Sequence, residues 1–369
     1  MDFQLSEDQR AFADMAQGLF NDYCSDDQLR AHDLSGAGSM QDLWQQCVAA
    51  GLHGILVPET HGGLGLGMTE LMAVLEQQGR ALALVPLWEQ QLVAAAVARF
   101  APEAADTLLP AAMAGELLAL SLAGLSASRG HGVQLRDGRL HGGLQAVPLA
   151  DLAGHALLAV ADEQGADRLV LPALSQPAVQ RETGLSQHHQ GLADLRLDAA
   201  PVLAVLPTEA TAWVEQRAIA CAAALQLGVT QQQLRRTVEY VSERRQFERP
   251  IGSFQLVAGQ MADGQIATEA LRAALWQLVW RLDAGRPSAP QAHATRALAN
   301  DLGHRAGHMA QHVHGGMGVD VTYPIHRFLY WSRALGALLG GSEHHLARLG
   351  DWLADNDNLG WKYDLPEDC

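Results

Sequence analysis

The sequence predicts an α+β protein in which a helical unit, a β unit and a second helical unit follow one another. Three observations predict this order. Apolar residues recur at helical spacing up to about residue 118, short strand-like runs continue to about residue 206, and long helical patterns follow. We expect domains at 1–115, 116–207 and 208–369. Because strands and helices do not alternate, a doubly wound parallel sheet is not expected.

The N-terminal unit begins with a helix. Ser6 and Gln9 have the spacing of a capping box, and apolar residues recur after them. A second helical segment, QDLWQQCVAAG, ends at Gly51, and a third, TELMAVLEQQGRAL, runs to about Leu82. Ala-rich stretches continue the helical pattern to Leu118.

The middle unit contains short strand-like runs separated by Gly, Asp and Pro. They are LLALSLAG, VQLRDGRLHG, ALLAVAD, DRLVLPA and DLRLDAAPVLAV. Asp137-Gly138 gives the clearest hairpin signal, since this dipeptide favours a two-residue turn. These runs predict an all-β unit from Leu118 to Leu206.

Four long helical runs follow Glu209, and together they predict a helix bundle. They begin at ATAWVEQ, QLVAGQM, PQAHATR and RFLYWSR, and the last is predicted to run through SEHHLARLGDWLAD.

Composition excludes several classes of protein. Hydrophobic residues make up 48% and charged residues 18%, which excludes wholesale disorder. The net charge of −16, from 25 basic and 41 acidic residues, argues against nucleic acid as a partner. No apolar run reaches the length of a membrane span and the start MDFQLSEDQRAF does not resemble a signal peptide, so we expect no membrane partner and a cytoplasmic location. The four cysteines lie far apart and predict isolated thiols.

Three motifs resemble those of the acyl-CoA dehydrogenase family of flavoproteins. They are LHGILVPETHGGLGLGMTELMAVLEQQGRAL (52–82), SERRQFERPIGSFQ (242–255) and HVHGGMGV (312–319). The second is similar to the family turn Glu-Arg-x-x-Phe-Gly-x-x-Ile-x-x-Phe-Gln, and the third to Gln-x-x-Gly-Gly-x-Gly. This resemblance covers nearly the whole chain. It implies an N-terminal helical domain, a middle β-barrel-like domain and a C-terminal four-helix bundle, with tetramer formation through the bundle.

The resemblance assigns a cofactor role to six residues. In this family the corresponding turn reaches across a dimer interface to a neighbour's FAD. The residues implied in FAD binding are Arg244, Phe247, Gln255, His312, Gly315 and Gly316. Arg244 would meet the pyrophosphate, because a guanidinium fork donates two hydrogen bonds to phosphate oxygens. The two glycines would let backbone N–H groups approach the cofactor.

The family's catalytic carboxylate is missing from both of its usual positions. Ungapped counting from Tyr323-Pro324 places Leu339 where most members carry the Glu, and counting back from Arg244 places Ala218 at the alternative position. Neither side chain accepts a proton. Glu343 is the first fallback base and Glu215 the second. We therefore predict no catalytic residue in this chain.

The chain's own flavin seat also departs from the family pattern. Ala123 and Gly124 replace a Thr-Glu pair, and Val147, Pro148 and Leu149 replace a Trp-Ile-Thr segment. Together with HGGMGVDVTYPIHRFLYW, these departures resemble the non-catalytic subunit of heteromeric acyl-CoA dehydrogenases. Those enzymes combine two catalytic and two non-catalytic chains (α2β2) and act on CoA thioesters of steroid side chains of the cholesterol or bile-acid type. A catalytic partner subunit, an acyl-CoA substrate and FAD at the interface are implied.

Two alternatives remain open at this point. In the first alternative to a non-catalytic subunit, the chain is an atypical homo-oligomeric enzyme that uses Glu343. In the second, it is a structural paralogue that binds no flavin.

Three other motifs do not predict a functional site. His304, His308 and His312 share one helical face, yet Arg305 stands where a H-E-x-x-H motif needs Glu, so no metal site is predicted. The glycines of HGGLGLG have the wrong spacing for a dinucleotide loop. Ser126 and Ser128 have no G-x-S-x-G context, so a serine hydrolase is not predicted.

Overall fold

The computed structural model describes residues 3–126 and 132–356. Ser128 and Cys369 lie outside the described residues. Six helices form the N-terminal unit: α1 Glu7–Tyr23, α2 Asp26–Ser35, α3 Gln41–Ala49, α4 Met68–Ala81, α5 Leu87–Phe100 and α6 Pro102–Met113. The predicted capping box is confirmed, since the Ser6 side chain accepts from the Gln9 N–H and Gln9 bonds back to the Ser6 backbone. Sequence reasoning missed α2.

The β unit is a single eight-stranded sheet in the order β6-β7-β3-β2-β4-β5-β8, with β1 paired to β4. Its strands are β1 Leu118–Ser121, β2 Val133–Arg136, β3 Arg139–Pro148, β4 His155–Ala161, β5 Asp167–Leu171, β6 Val179–Leu185, β7 Gly191–Pro201 and β8 Ala204–Val205. A short helix, α7 (Ala123–Ser126), follows β1. Asp137 and Gly138 both have positive φ between β2 and β3, which confirms the predicted hairpin.

The second helical unit contains α8 Glu209–Glu243, α9 Gln255–Asp283, α10 Ala289–His314, α11 Ile325–Ala337 and α12 Ser342–Asp355. A small hairpin of β9 (Arg245–Gln246) and β10 (Arg249–Pro250) connects α8 to α9. Helices α8 to α11 pack on one another, and α12 packs on α10. The prediction of one continuous last helix was wrong, because the chain breaks between α11 and α12, where Leu339 and Gly340 have positive φ.

The N-terminal unit docks on the bundle through glycines. A Cβ on Gly79 of α4 would lie 2.2 Å from the Leu225 carbonyl oxygen, and one on Gly228 of α8 would lie 2.0 Å from that of Glu76. Only glycine permits this close approach of two backbones. The glycine of the Glu-x-x-Gly-Arg motif therefore brings α4 against α8. Along 3–126 and 132–356, no helix combines the length and the hydropathy needed to cross a bilayer.

Candidate functional site

The turn after α8 projects its side chains into solvent. Phe247 and Glu248 form the tip of the β9–β10 hairpin with φ of 51° and 66°, although neither is a glycine. Two non-glycine residues in the left-handed region make a strained turn, and strain of this kind often marks a functional segment. Phe247 lies at the tip of this strained turn, and its side chain is 87% exposed.

Arg244 begins this turn and has an uncommitted guanidinium. Its backbone N–H donates to the Tyr240 carbonyl at 2.8 Å, while its exposed side chain makes no hydrogen bond or ion pair with the described residues. The neighbouring Arg245 differs, since it donates to the Glu248 carbonyl at 2.6 Å within the hairpin. Arg249 lies 4.1 Å from the ring centroid of Phe254. Of the three arginines, Arg244 is the one whose guanidinium makes no contact with the described residues, and it is therefore free to bind an external anion.

The segment after α10 opens beside the same turn. Gly315 has φ 60° and ψ −134°, a conformation that is close to glycine-only, and a Cβ on Gly315 or Gly316 would meet nothing within 4 Å. His312 is exposed one turn earlier, and Gln255 is exposed at the first turn of α9. The backbone at these glycines is therefore open to an approaching group.

Tyr240 joins the two segments. Its ring stacks on His314 with centroids 4.2 Å apart, and its hydroxyl lies 3.9 Å from Met317 Sδ. The structure thus places 312–316 beside the Arg244 turn at one end of the bundle. Sequence reasoning missed Tyr240, whose position on a long helix carries no motif of its own.

The position for the alternative catalytic Glu lies far from this end. Ala218 and Arg244 stand on the same helix 26 residues apart, which at 1.5 Å per residue is roughly 39 Å. Ala218 is fully buried and belongs to the large apolar core. A cofactor held by Arg244 is therefore distant from Ala218 of the same chain.

Leu339 occupies the other position at which the family carries its catalytic Glu, and polar contacts hold its backbone. Its φ is 59° and its side chain is 9% exposed within the same core. The His345 Nε2 lies 2.7 Å from the Leu339 carbonyl, and Asn300 donates to the Gly340 carbonyl at 3.3 Å. These contacts fix an unfavourable backbone conformation for a leucine.

Two histidines behind Leu339 are neutral and have defined tautomers. Burial lowers the pKa of His345 to about 3 and that of His293 to about 4. Because the Leu339 carbonyl can only accept, His345 Nε2 carries the proton and its Nδ1 accepts. The His293 Nδ1, 3.0 Å away, is then the donor. Neither histidine is available as an acid near pH 7.

Arg296 completes this buried group. It is fully buried on α10 and donates to the carbonyls of Leu335, at 2.5 Å, and Leu338, at the end of α11. A cation at a helix C-terminus is favoured by the helix dipole. Sequence reasoning missed Arg296 and His293, because a buried polar residue in a helical run cannot be recognised from its spacing alone. The sequence predicts His344-His345 as a surface pair, and this is wrong for His345, which is fully buried.

The two fallback carboxylates occupy different environments. Glu215 is buried and pairs with Arg348 of α12 at 3.4 Å; burial raises its pKa, and Arg348 opposes that shift. Glu343 is exposed in the first turn of α12. Neither has the arrangement of a buried base facing an open cleft.

A third carboxylate near Ala218 was missed by sequence reasoning. Glu89 of α5 is 2% exposed, and its Oε1 accepts from Gln190 Nε2 at 3.2 Å while its Oε2 has no hydrogen-bond partner among the described residues. Burial raises its pKa to about 7. Its charge acts on Cys221, which lies one turn after Ala218 on α8. A carboxyl group with this pKa is protonated below pH 7 and ionised above it.

The segments that replace the family's flavin seat differ in exposure: Val147 and Leu149 are buried, whereas Ala123 and Gly124 line an open cavity of about 1110 Å³ beside the sheet. Ala123 and Gly124 form the α7 turn, which reaches the α11–α12 break: a Cβ on Gly340 would lie 3.0 Å from the Ser126 Cβ. Val147 and Leu149 are buried in the core of the sheet. No hydroxyl or indole is offered by these residues.

His304, His308 and His312 share one face of α10, as their spacing predicts. The rings of His304 and His308 are exposed and have centroids 4.6 Å apart. Within the described ranges, no group of three or more His, Cys, Asp or Glu side chains is arranged to hold a metal ion.

Comparison with known proteins identifies the family. Residues 6–116 match the acyl-CoA dehydrogenase N-terminal domain and residues 214–354 match the acyl-CoA dehydrogenase C-terminal domain. The chain belongs to the acyl-CoA dehydrogenase family. Its members are FAD-dependent oxidoreductases, so the predictions of family, fold and flavin class are confirmed.

Several relatives cover the full acyl-CoA dehydrogenase chain. Acyl-CoA dehydrogenase FadE27 of Mycobacterium tuberculosis is 33% identical over 96% of this chain and 99% of its own length. A chain of the ChsE4-ChsE5 complex from Mycobacterium tuberculosis is 32% identical, with a TM-score of 0.89 over 96% of this chain and 100% of that one. A variant of the Tcur3481-Tcur3483 steroid ACAD is 35% identical, with a TM-score of 0.88 over 95% and 98%.

The two candidate flavin-binding regions fit FAD unequally. At the Arg244 end, an uncommitted guanidinium, an exposed ring and open glycine backbone fit one part of the cofactor. At the strand end, Val147 and Leu149 are buried apolar side chains and offer the ring system no hydrogen bond. One departure weakens the first region: Glu248 stands where the family turn has glycine, at a φ that favours glycine.

Proposed function

We propose that this chain is the non-catalytic subunit of a heteromeric acyl-CoA dehydrogenase and completes the FAD site of its catalytic partner. The uncommitted guanidinium of Arg244, on a strained and exposed hairpin, is the observation that carries the proposal. An unpaired cation on a protein of net charge −16 suits an anionic group supplied by another subunit.

Each residue of this end has a part in binding. Arg244 would donate hydrogen bonds to the cofactor's pyrophosphate, and Phe247 would pack on its adenine end. Gly316 would present its backbone N–H, while the Gly315 N–H donates to the His312 carbonyl and this glycine would leave room for the cofactor. His312 and Gln255 would offer polar contacts beside them. FAD, when bound, would supply the acceptor for the hydride that leaves the β-carbon of the thioester. This chain orients the flavin and takes no proton itself.

The absence of a base at Leu339 and Ala218 assigns proton abstraction to the partner. Both side chains lie in the apolar core, and the Leu339 backbone is held by His345 and Asn300. Glu215 is engaged by Arg348. The α-proton would be taken by a carboxylate of the catalytic subunit, in a two-plus-two heterotetramer.

The substrate in this proposal is a CoA thioester with a steroid side chain, which the reaction desaturates between the α and β carbons. Support comes from the relatives, because one of the structures similar to this chain is a steroid ACAD and another is a complex of two named chains.

Replacing Arg244 by Ala tests the cofactor role. The complex should lose roughly 10- to 100-fold in FAD affinity, since a hydrogen bond between charged groups contributes about 1.5–3 kcal/mol. The matched control is Arg245→Ala, which removes the adjacent arginine but leaves the uncommitted one in place. FAD retained by each complex after gel filtration gives the comparison. Equal retention by the Arg244→Ala and parent complexes would reject the proposed contact.

A further inference from the structure

A second positively charged region lies away from the flavin-facing turn. A polar cavity of about 520 Å³ is enclosed by α1, α2, α4, α8 and the start of α11. Its walls carry four arginines and one carboxylate: Arg80, Arg235, Arg236, Arg327 and Asp26. An excess of positive charge in one cavity is unexpected in a chain with a net charge of −16.

Arg80 ends the Glu-x-x-Gly-Arg motif, whose other members have structural roles. Gly79 allows α4 to approach α8, and Glu76 pairs with Arg272 at 3.4 Å. Arg80 donates to the Gln231 amide oxygen, a neutral partner, and lies 3.5 Å from Glu76. Its charge is thus only partly offset, because Glu76 is shared between two arginines.

The other arginines are positioned by carboxylates outside the cavity, with one exception. Arg235 pairs with Glu239 at 2.7 Å, and Arg327 with Asp33 at 2.8 Å. Neither acid lines the cavity. Asp26, which does, receives two hydrogen bonds from Arg236 at 2.9 and 3.0 Å. These pairs hold the guanidinium groups in place, and among the residues that line the cavity four arginines stand against one carboxylate.

The remaining lining suits a nucleotide-sized ligand. Amides of Gln17, Gln77 and Gln232 line the cavity and provide donors and acceptors for hydroxyl and phosphate oxygens. The volume lies within the range of small-molecule sites. Guanidinium groups match phosphate oxygens better than a point charge does.

We propose that this cavity binds a phosphate-bearing anion of nucleotide size, at a site separate from the flavin-facing Arg244 turn. Phosphate oxygens contact Arg80 and Arg235 at the opening, and the amide side chains bind the remainder of the ligand. The site requires no residue of the catalytic partner, and it does not depend on the proposed role in FAD binding.

Isothermal titration of the full-length protein with pyrophosphate, ADP and adenosine tests the site. ADP and pyrophosphate should bind, and adenosine should not. Arg235→Gln, at a side chain that is 59% exposed, should weaken ADP binding about tenfold, and Arg80→Gln by the same or more. Because Arg235 is exposed, its variant keeps the test valid where Arg80→Gln fails to fold. Arg305→Gln, an exposed arginine of α10 outside the cavity, should leave binding unchanged.

Arg244→Ala separates this site from the flavin-facing turn. Binding that survives Arg244→Ala and falls with Arg235→Gln supports the proposal. Absence of ADP and pyrophosphate binding at millimolar concentration would show that the arginines form only an ion-pair network. Binding that is lost with Arg244→Ala, or equally with Arg305→Gln, would also overturn the proposal, as would adenosine binding as tightly as ADP.

Discussion

The end of the bundle that carries the Arg244 turn and the region around Leu339 differ in how exposed their polar groups are. At the first, Arg244, Phe247 and Gly316 are exposed and make few contacts within the chain. At the second, Leu339 is buried, and His345 and Arg296 bond to backbone carbonyls around it. The difference teaches that the polar groups at one end are open to an external ligand, while those at the other bond to backbone within the core.

Placing a carboxylate at Leu339 is expected to have the largest effect on this contrast. Leu339→Glu should destabilise the chain by about 2–4 kcal/mol at pH 7 and add nothing to the turnover of the complex, because the new charge lies in the apolar core. Leu339→Gln is the control for polarity without charge. Thermal unfolding and activity of the complex measure both effects. New turnover from Leu339→Glu would show that this region still works as an active site.

The pH dependence of the free energy of unfolding tests the role of Glu89 in the buried region. Its pKa of about 7 lies above the ordinary 4.5, so the folded protein binds more protons than the unfolded chain between these values. Its contribution to stability is therefore lost as pH rises through 7. Glu89→Gln should be more stable than the parent at pH 8, by about 1–3 kcal/mol. Denaturant unfolding at pH 5 and pH 8 gives the difference.

The control for Glu89 is Glu103→Gln, an exposed residue of α6, which should change stability by less than about 0.5 kcal/mol at either pH. His293 and His345 act in the opposite direction. Their lowered pKa values mean that stability is lost as pH falls below about 6.5, toward 4 and 3. If the stability of the Glu89→Gln variant had the same pH dependence as that of the parent, the raised pKa of Glu89 would be contradicted.

Substitutions in the β9–β10 hairpin test whether the exposed end is strained. Glu248→Gly should stabilise the chain by about 1 kcal/mol, because glycine adopts a φ of 66° without the strain of a Cβ. Gln246→Gly, in strand β9, should instead destabilise it by about 0.5–1 kcal/mol. Thermal unfolding of both variants gives the two signs. A destabilising Glu248→Gly would mean that the Glu248 side chain stabilises the turn.

The smallest effect is expected from Glu343. Glu343→Gln removes an exposed carboxylate at the start of α12 and should change turnover of the complex by less than about twofold, since the group lies outside the buried region. Steady-state turnover is the measurement. A loss of several orders of magnitude would instead favour an atypical enzyme that uses Glu343 as its base.

Sequence patterns predicted the elements whose residues repeat strongly. The Ser6–Gln9 capping box and the Asp137-Gly138 turn are local signals and were confirmed. Strand β6 was missed because six of its seven residues are exposed and give no apolar alternation. The break at Leu339 was missed because it depends on contacts from His345 and Asn300, which are distant in sequence.

The candidate site was predictable only where family motifs carry it. The residues at 244–255 and 312–316 lie in motifs, and the structure places them at one end of the bundle. Their roles remain predictions. The buried group of Arg296, His293 and His345, and the carboxyl group of Glu89, have no such pattern, since their environment is created by tertiary packing.

The flavin content of the purified complex tests the central claim most directly. The chain should be purified alone and together with its catalytic partner, and FAD should be counted per chain after extraction. The account predicts little or no FAD on the chain alone and half as many flavins as chains in the complex, with a lower flavin content after gel filtration of the Arg244→Ala complex. One FAD bound to each copy of this chain in isolation, with full dehydrogenase activity, would contradict it.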